Sequence, residues 1–265
     1  MTKSRLFFLF IVNTLCATSS SQLDCFHICA VASKEHKNLD KLIQSCQQHQ
    51  INLEILGMNE PYLGNGTKLL RIQEYIENLE EDEIVMVVDA YDVLIVADKE
   101  VILQKFLDMQ SPLIMSTEKN CFPRKRLANR YPNSPTPFKY INTGGFIGYV
   151  RNLKALLKEL SPINLKQGDQ GQVSPYFLKN QYAFTLDYHC NIFLSLYEVD
   201  KNELEIDTNK GVVHCHTTLT DPCVIHANGK SFNIWDQVYL KLVKPRIDFS
   251  CRSDHCLEQR LNSLK

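Results

Sequence analysis

"IVMVVDAYDVLIV", residues 84–96, decides how this chain is read. Its first half, "IVMVVDA" (84–90), is a continuous apolar run of the kind buried on both faces in a parallel sheet. Asp89 and Asp92 interrupt the run, and an unpaired charge inside a protein is strongly destabilising. Two carboxylates about 4 Å apart repel by about 4 kcal/mol at an effective dielectric near 20. Buried together, they need a proton, a basic partner or a cation. No Lys or Arg lies between Arg71 and Lys99, so the neighbouring sequence offers no local salt bridge.

Positions i and i+3 of a straight strand face opposite ways, so the two aspartates converge only if the chain turns after Asp89. Such a turn is expected at the carboxyl edge of a parallel strand, where α/β proteins bind their ligands. A divalent metal at that edge is the economical reading. The alternative is that Asp92 caps a turn and Asp89 pairs with a distant Arg. A phosphatase of the haloacid-dehalogenase type would space its aspartates as DxD, which argues against that activity here.

The flanking pattern supports an α/β layer architecture with a mainly parallel central sheet flanked by helices. "CFHICAVAS" (25–33) and "INLEILG" (51–57) read as strands. Leu39, Leu42, Ile43 and Cys46 make 34–50 an amphipathic helix. Leu69, Ile72, Tyr75, Ile76 and Leu79 do the same for 67–79. Four prolines mark 121–140 as a long ordered loop or lid. After it come a strand at 140–150 broken by a glycine pair, a helix at 152–160, and a helix from 169 interrupted near Pro175. Short strands are expected near 183–187, 192–196, 212–216 and 223–231, then helical segments near 232–243 and 254–264. Nothing resembling a linker divides the chain.

The chain has 265 residues, 44% hydrophobic and 22% charged, with a net charge of −1. That supports a substantial core and argues against a nucleic-acid partner. Lys3 and Arg5, then "LFFLFIV" (6–12) and "CATSSSQ" (16–22), describe a secretory signal peptide over 1–21, with a first strand of the fold as the alternative. Residues 22–265 are then one domain, with no run long enough to span a membrane. Ten cysteines fit an oxidising compartment, and Cys251–Cys256 is the easiest local pair. "NGT" (65–67) is the one N-glycosylation sequon.

Three further stretches carry chemistry. In "VIHANGKS" (224–231), His226 ends an apolar strand and is suited to be a third metal ligand, although a structural histidine would look the same. Mixed oxygen and nitrogen ligation suits Mn²⁺ better than Ca²⁺. Asn228, Gly229 and Lys230 then offer a turn and a positive charge to phosphate. In "NTGGFIGY" (142–149), Gly144 and Gly145 would let a ligand approach the backbone, and Asn142 and Thr143 would bond sugar hydroxyls; a plain β-bulge is the alternative. In "QGDQ" (167–170), Asp169 stands at a helix start, where it could simply be an N-cap.

Taken together, "VVDAYDVLI", "INTGGFIGY", "GDQ" and "VIHANGKS" resemble, in order and spacing, the glycosyltransferase domain of procollagen lysyl hydroxylases, with collagen galactosyltransferases a looser match. "TKLLRIQEYI" and "LANRYP" extend the resemblance from about Phe26 to Tyr239. It implies a GT-A-type glycosyltransferase fold using Mn²⁺ and a UDP-sugar, with glucose or galactose moved to a hydroxylysine-type, collagen-like acceptor in the endoplasmic reticulum lumen or a secreted setting. On the matching positions it makes Asp89, Asp92 and His226 the metal ligands and Lys68 a donor-phosphate or nucleotide contact. Asn228, Gly229 and Lys230 would line the diphosphate, Gly144 and Gly145 would stand beside the donor, and Asp169 and Asn142 would act near the transferred sugar. A non-catalytic UDP-sugar or carbohydrate-binding module of the same fold is the rival. The departures are Gln167 and Gly168 where the family carries carboxylates, Phe122 in "CFP" where it has Trp, and Thr143 in "NTGG" where it has Ser.

Overall fold

The computed structural model describes residues 20–244. Most of the expected signal peptide, the Cys251–Cys256 pair and the helix near 254–264 lie outside the described residues. In chain order the elements begin with α1 (Ser20–Asp24), β1 (Phe26–Val31), α2 (Lys37–Gln48), β2 (Leu53–Leu56), α3 (Thr67–Ile76) and β3 (Ile84–Asp89). Next are β4 (Val93–Ile95), α4 (Lys99–Asp108), β5 (Leu113–Glu118), β6 (Tyr140–Tyr149), α5 (Val150–Leu160) and α6 (Asp169–Lys179). Short strands β7 (Thr185–Leu186), β8 (Phe193–Ser195), β9 (Leu204–Asp207), β10 (Val212–Cys215) and β11 (Val224–His226) precede α7 (Phe232–Val238).

Six strands form the main sheet in the order β2-β1-β3-β6-β5-β7. β1 is parallel to β2 and β3, and β5 to β7, while β6 runs against both β3 and β5. Every strand but β6 therefore points the same way. Side chains of β3 alternate between two apolar layers. Ile84, Met86 and Val88 pack with Leu39 and Leu42 of α2 and Ile102 and Phe106 of α4. Val85 and Val87 pack with Leu69 and Ile72 of α3, Leu153 of α5 and Phe177 of α6. Helices on both faces are why the run at 84–88 needs no polar residue.

A second sheet has the order β4-β11-β8, and β4 enters it just after the carboxyl end of β3. β11 is antiparallel to β4, with His226 opposite Val93, and parallel to β8. Its outer face carries Leu94, Leu194 and Ile225 against Trp235 and Val238 of α7. Asp187, fully buried, accepts the backbone N–H groups of Asn191, Ile192 and Phe193 at 2.8–3.0 Å and so fixes the entry into β8.

Two points of the sequence reading are corrected. The sequence reading left 97–120 unassigned, yet it holds α4 and β5, a helix and a core strand. α6 is not interrupted at Pro175 but runs through it. Proline cannot donate to the carbonyl four residues earlier, and that carbonyl, Gly171 O, is instead satisfied by Gln167 Nε2 at 2.5 Å. The seven cysteines among the described residues are all free thiols, most of them buried. No helix among the described residues is long and apolar enough to cross a membrane.

Candidate functional site

The carboxyl ends of β3 and β5, the start of the reversed strand β6, the first turn of α6 and the end of β11 open on one cleft of about 880 Å³. That volume lies in the usual range for small-molecule sites.

The chain turns after Asp89, as convergence required, and β4 begins at Val93. Ala227 N donates to Asp92 O at 2.7 Å, continuing the β4–β11 pairing, so Asp92 is carried to the strand that ends in His226. One ligand atom each of Asp89, Asp92 and His226 lies within 4.8 Å of the others. His226 Nε2 is 3.3 Å from Asp92 Oδ2 and 3.6 Å from Asp89 Oδ2. Its other nitrogen, Nδ1, is 3.1 Å from Asn142 Oδ1. A carboxamide oxygen only accepts, so Nδ1 carries the hydrogen, and once His226 loses its second proton Nε2 is the nitrogen left bare. Two carboxylates and one imidazole so aimed fit a divalent cation.

Charges within the cluster are strongly linked. Burial raises Asp89's carboxyl above the usual range, with Lys68 opposing. Burial pushes Asp92 the same way, but His226 outweighs it and holds that carboxyl low. Burial would strip His226 of its proton, yet Asp92 and Asp89 overcome this and raise its pKa. Lys68 arrives from α3, its Nζ 2.6 Å from Asp89 Oδ1, 2.6 Å from Thr143 O and 3.1 Å from Asp169 Oδ2. Burial disfavours its charge, but Asp169 and Asp89 together hold it protonated. The basic partner of Asp89 is thus a lysine, neither the distant Arg of the alternative reading nor a sequence neighbour.

The other sequence-singled residues fall as follows. Asp169 is the first residue of α6, after Gly168 at the N-cap, and its Oδ1 accepts Gln170 N at 2.9 Å. Asn228 is buried, Gly229 (φ +60°) and Lys230 (φ +73°) form a left-handed turn, and all three line the cleft. A Cβ on Gly229 would lie 2.2 Å from the Tyr197 ring. The glycine pair sits where the β5–β6 register slips, from Met115↔Phe146 to Ser116↔Asn142, which is the bulge. It makes room for protein side chains: a Cβ on Gly144 would lie 2.1 Å from His226, and one on Gly145 2.5 Å from Phe193. Gly144 lines the cleft, whereas Gly145 is not among its lining residues.

Sequence reasoning missed Glu118. It ends β5, is 3% exposed and faces the cleft. Its carboxylate accepts from Gln170 Nε2 (2.7 Å), Asn228 Nδ2 (3.0 Å) and Asn142 Nδ2 (3.2 Å). The available signal was an acid closing the apolar run "LIMSTE", as Asp89 closes "IVMVVD". Burial pushes the carboxyl up to about 7, with the three carboxamides opposing. In the unfolded chain it ionises near 4.5, so between these values the folded state binds more protons. Its stabilising share is full below that window and lost as pH rises through it. The stability of the metal-free protein minus that of Glu118→Gln should therefore fall from pH 4.5 to 7.5 in urea titrations. A constant difference would contradict the sign.

Residues 22–238 match a family model described as the PLOD GT domain. This chain belongs to that family. The chain is 30% identical over 244 residues to a Caenorhabditis elegans protein named multifunctional procollagen lysine hydroxylase and glycosyltransferase, covering 85% of this chain and 33% of that one. A Drosophila melanogaster procollagen-lysine,2-oxoglutarate 5-dioxygenase is 29% identical over 225 residues, covering 78% of this chain and 31% of its own length. The chain thus spans about a third of the curated relatives it matches. A solved glycosyltransferase involved in glycosylation of the major capsid of PBCV-1 aligns with TM-score 0.48 and 14% identity, over 81% of this chain and 98% of that one. The chain has the α/β architecture expected for the GT-A type, a mainly parallel central sheet flanked by helices.

Proposed function

We propose that this GT domain transfers glucose or galactose from a UDP-sugar to a hydroxylysine-type, collagen-like acceptor, with Mn²⁺, in the lumen of the endoplasmic reticulum or as a secreted protein formed as one domain after signal cleavage. The observation that carries this reading is the convergence of Asp89, Asp92 and His226 on the lining of a cleft in a glycosyltransferase-family fold. These three residues would hold the ion. When bound, Mn²⁺ supplies Lewis acidity toward a departing diphosphate.

The chain's own groups divide the remaining work. Asn142 keeps the hydrogen on His226 Nδ1, so Nε2 serves as ligand. Asn228, Gly229 and Lys230 line the cleft beside His226, where backbone N–H groups and an ammonium suit phosphoryl oxygens. Lys68 spans Asp89 and Asp169, tying the metal side to the side assigned to the sugar. Asp169 would face the transferred sugar and orient the acceptor hydroxyl. Gly144 gives His226 its space, and Gly145 does so for Phe193 one layer deeper.

A binding module of the same fold is favoured by one feature: Asp169 follows Gln167 and Gly168, with its carboxylate already paired to Lys68. A UDP-release assay with several UDP-sugars and a hydroxylysine peptide, with and without Mn²⁺, separates the readings. Release that needs both ion and acceptor is the expected result. UDP binding without turnover would establish the module instead, and inorganic phosphate release would establish a phosphohydrolase.

A further inference from the structure

Glu118 meets three carboxamides that share one arrangement. Asn142 gives its nitrogen to Glu118 Oε1, and its oxygen accepts Gly144 N at 2.8 Å. Asn228 gives its nitrogen to Oε2, and its oxygen accepts Tyr197 N at 2.8 Å. Gln170 gives its nitrogen to Oε1 and also to Phe122 O at 2.8 Å, and its oxygen accepts Thr143 N at 3.3 Å. Every carboxamide therefore has a backbone N–H at one end and the same carboxylate at the other. None can rotate by half a turn without setting donor against donor, which in a buried site is costly.

These three residues lead to different parts of the cleft. Asn142 reaches His226, Asn228 opens the Gly229–Lys230 turn, and Gln170 follows Asp169. We propose that Glu118 is a positioning residue that orients the Asn142, Asn228 and Gln170 side chains, and through them the His226 tautomer and the turn that faces the nucleotide. It acts through these neighbours rather than on the reacting atoms. The nucleotide half of this inference rests on the proposed function; the His226 half does not.

The two oxygens of Glu118 carry unequal loads, and this makes the role testable. Oε1 accepts twice and Oε2 once. Glu118→Gln keeps shape and should place its own oxygen at the doubly used site, leaving its nitrogen against Asn228 Nδ2. The Asn142 branch then survives while the Asn228 branch fails. Expected for Glu118→Gln are a UDP affinity weaker by about tenfold by calorimetry at saturating Mn²⁺, and a Mn²⁺ affinity within about threefold by electron paramagnetic resonance without nucleotide, since one lost bond to a buried donor has roughly this effect. Glu118→Ala should weaken both. In that variant ¹⁵N NMR of the metal-free protein at pH 9 should show His226 as a mixture of tautomers, where the wild type holds hydrogen on Nδ1 alone.

A purely structural Glu118 would move both affinities together with the melting temperature, and that result for Glu118→Gln overturns the proposal. So does an unchanged His226 tautomer in Glu118→Ala. A wild type that binds neither Mn²⁺ nor UDP would sink the functional reading, while the tautomer measurement still decides whether Glu118 orients His226.

Discussion

Asp92→Ala is expected to cut Mn²⁺-dependent UDP release by at least about two orders of magnitude, since losing one of three ligands forfeits about 3 kcal/mol of transition-state charge stabilisation. The fold should survive. What joins Asp92 to β11 is its backbone oxygen, which takes Ala227 N, and alanine keeps that bond. Removing the carboxylate relieves repulsion with Asp89 but also takes away the 3.3 Å partner of His226, so the two effects oppose each other in the metal-free state. The variant should therefore melt close to the wild type and bind Mn²⁺ far more weakly. Asp92→Asn is the companion variant: it preserves shape but replaces an anionic ligand with a neutral one, so it too should lose most turnover. Full activity in either would remove Asp92 from the ligand set.

The second large effect is expected from a single methyl group. In Gly144→Ala the new Cβ would lie 2.1 Å from His226 Cε1, 2.5 Å from Nδ1 and 2.9 Å from Asn142 Oδ1. His226 is 5% exposed and its ring nitrogens face Asp89, Asp92 and Asn142, so the ring cannot swing away without leaving these partners. The strain of overpacking is about 1–3 kcal/mol in a core. Here it falls on a metal ligand and its partner, so Mn²⁺ affinity should drop by about a hundredfold, out of proportion to the change in stability. Gly168→Ala is the control, because its Cβ would meet only Asn65, at an ordinary 3.9 Å. Equal Mn²⁺ affinity in the two variants would show that His226 does not need the space at Gly144.

The convergence of Asp89, Asp92 and His226 was legible because the two aspartates are physically awkward. Two carboxylates in an apolar run demand compensation, and the chain turn this implied is present between β3 and β4. His226 was legible as the polar end of an apolar strand. The rest depends on tertiary partners that local sequence does not announce. Lys68 escaped the search for a counter-ion because it comes from α3, 21 residues upstream of Asp89. Glu118 lay in the unassigned stretch and looks like an ordinary acid at a strand end. Only its three carboxamides, brought from β6, α6 and the loop after β11, give it a role. Gly144 and Gly145 read as open backbone because the side chains that fill their space, His226 and Phe193, are remote in sequence. Pro175 read as a helix breaker because its substitute donor, Gln167, lies outside the helix.

The joining of β4 to β11 has a temporal meaning. Glu118 and Asn228 stand 110 residues apart, and the carboxylate pair and His226 are separated by a comparable span. Closing so wide a loop is entropically costly and comes late in assembly. A chain emerging from a ribosome would hold both aspartates long before the imidazole exists to meet them. Cation capture would then mark completion of the fold, and unfinished copies would have no finished seat for it.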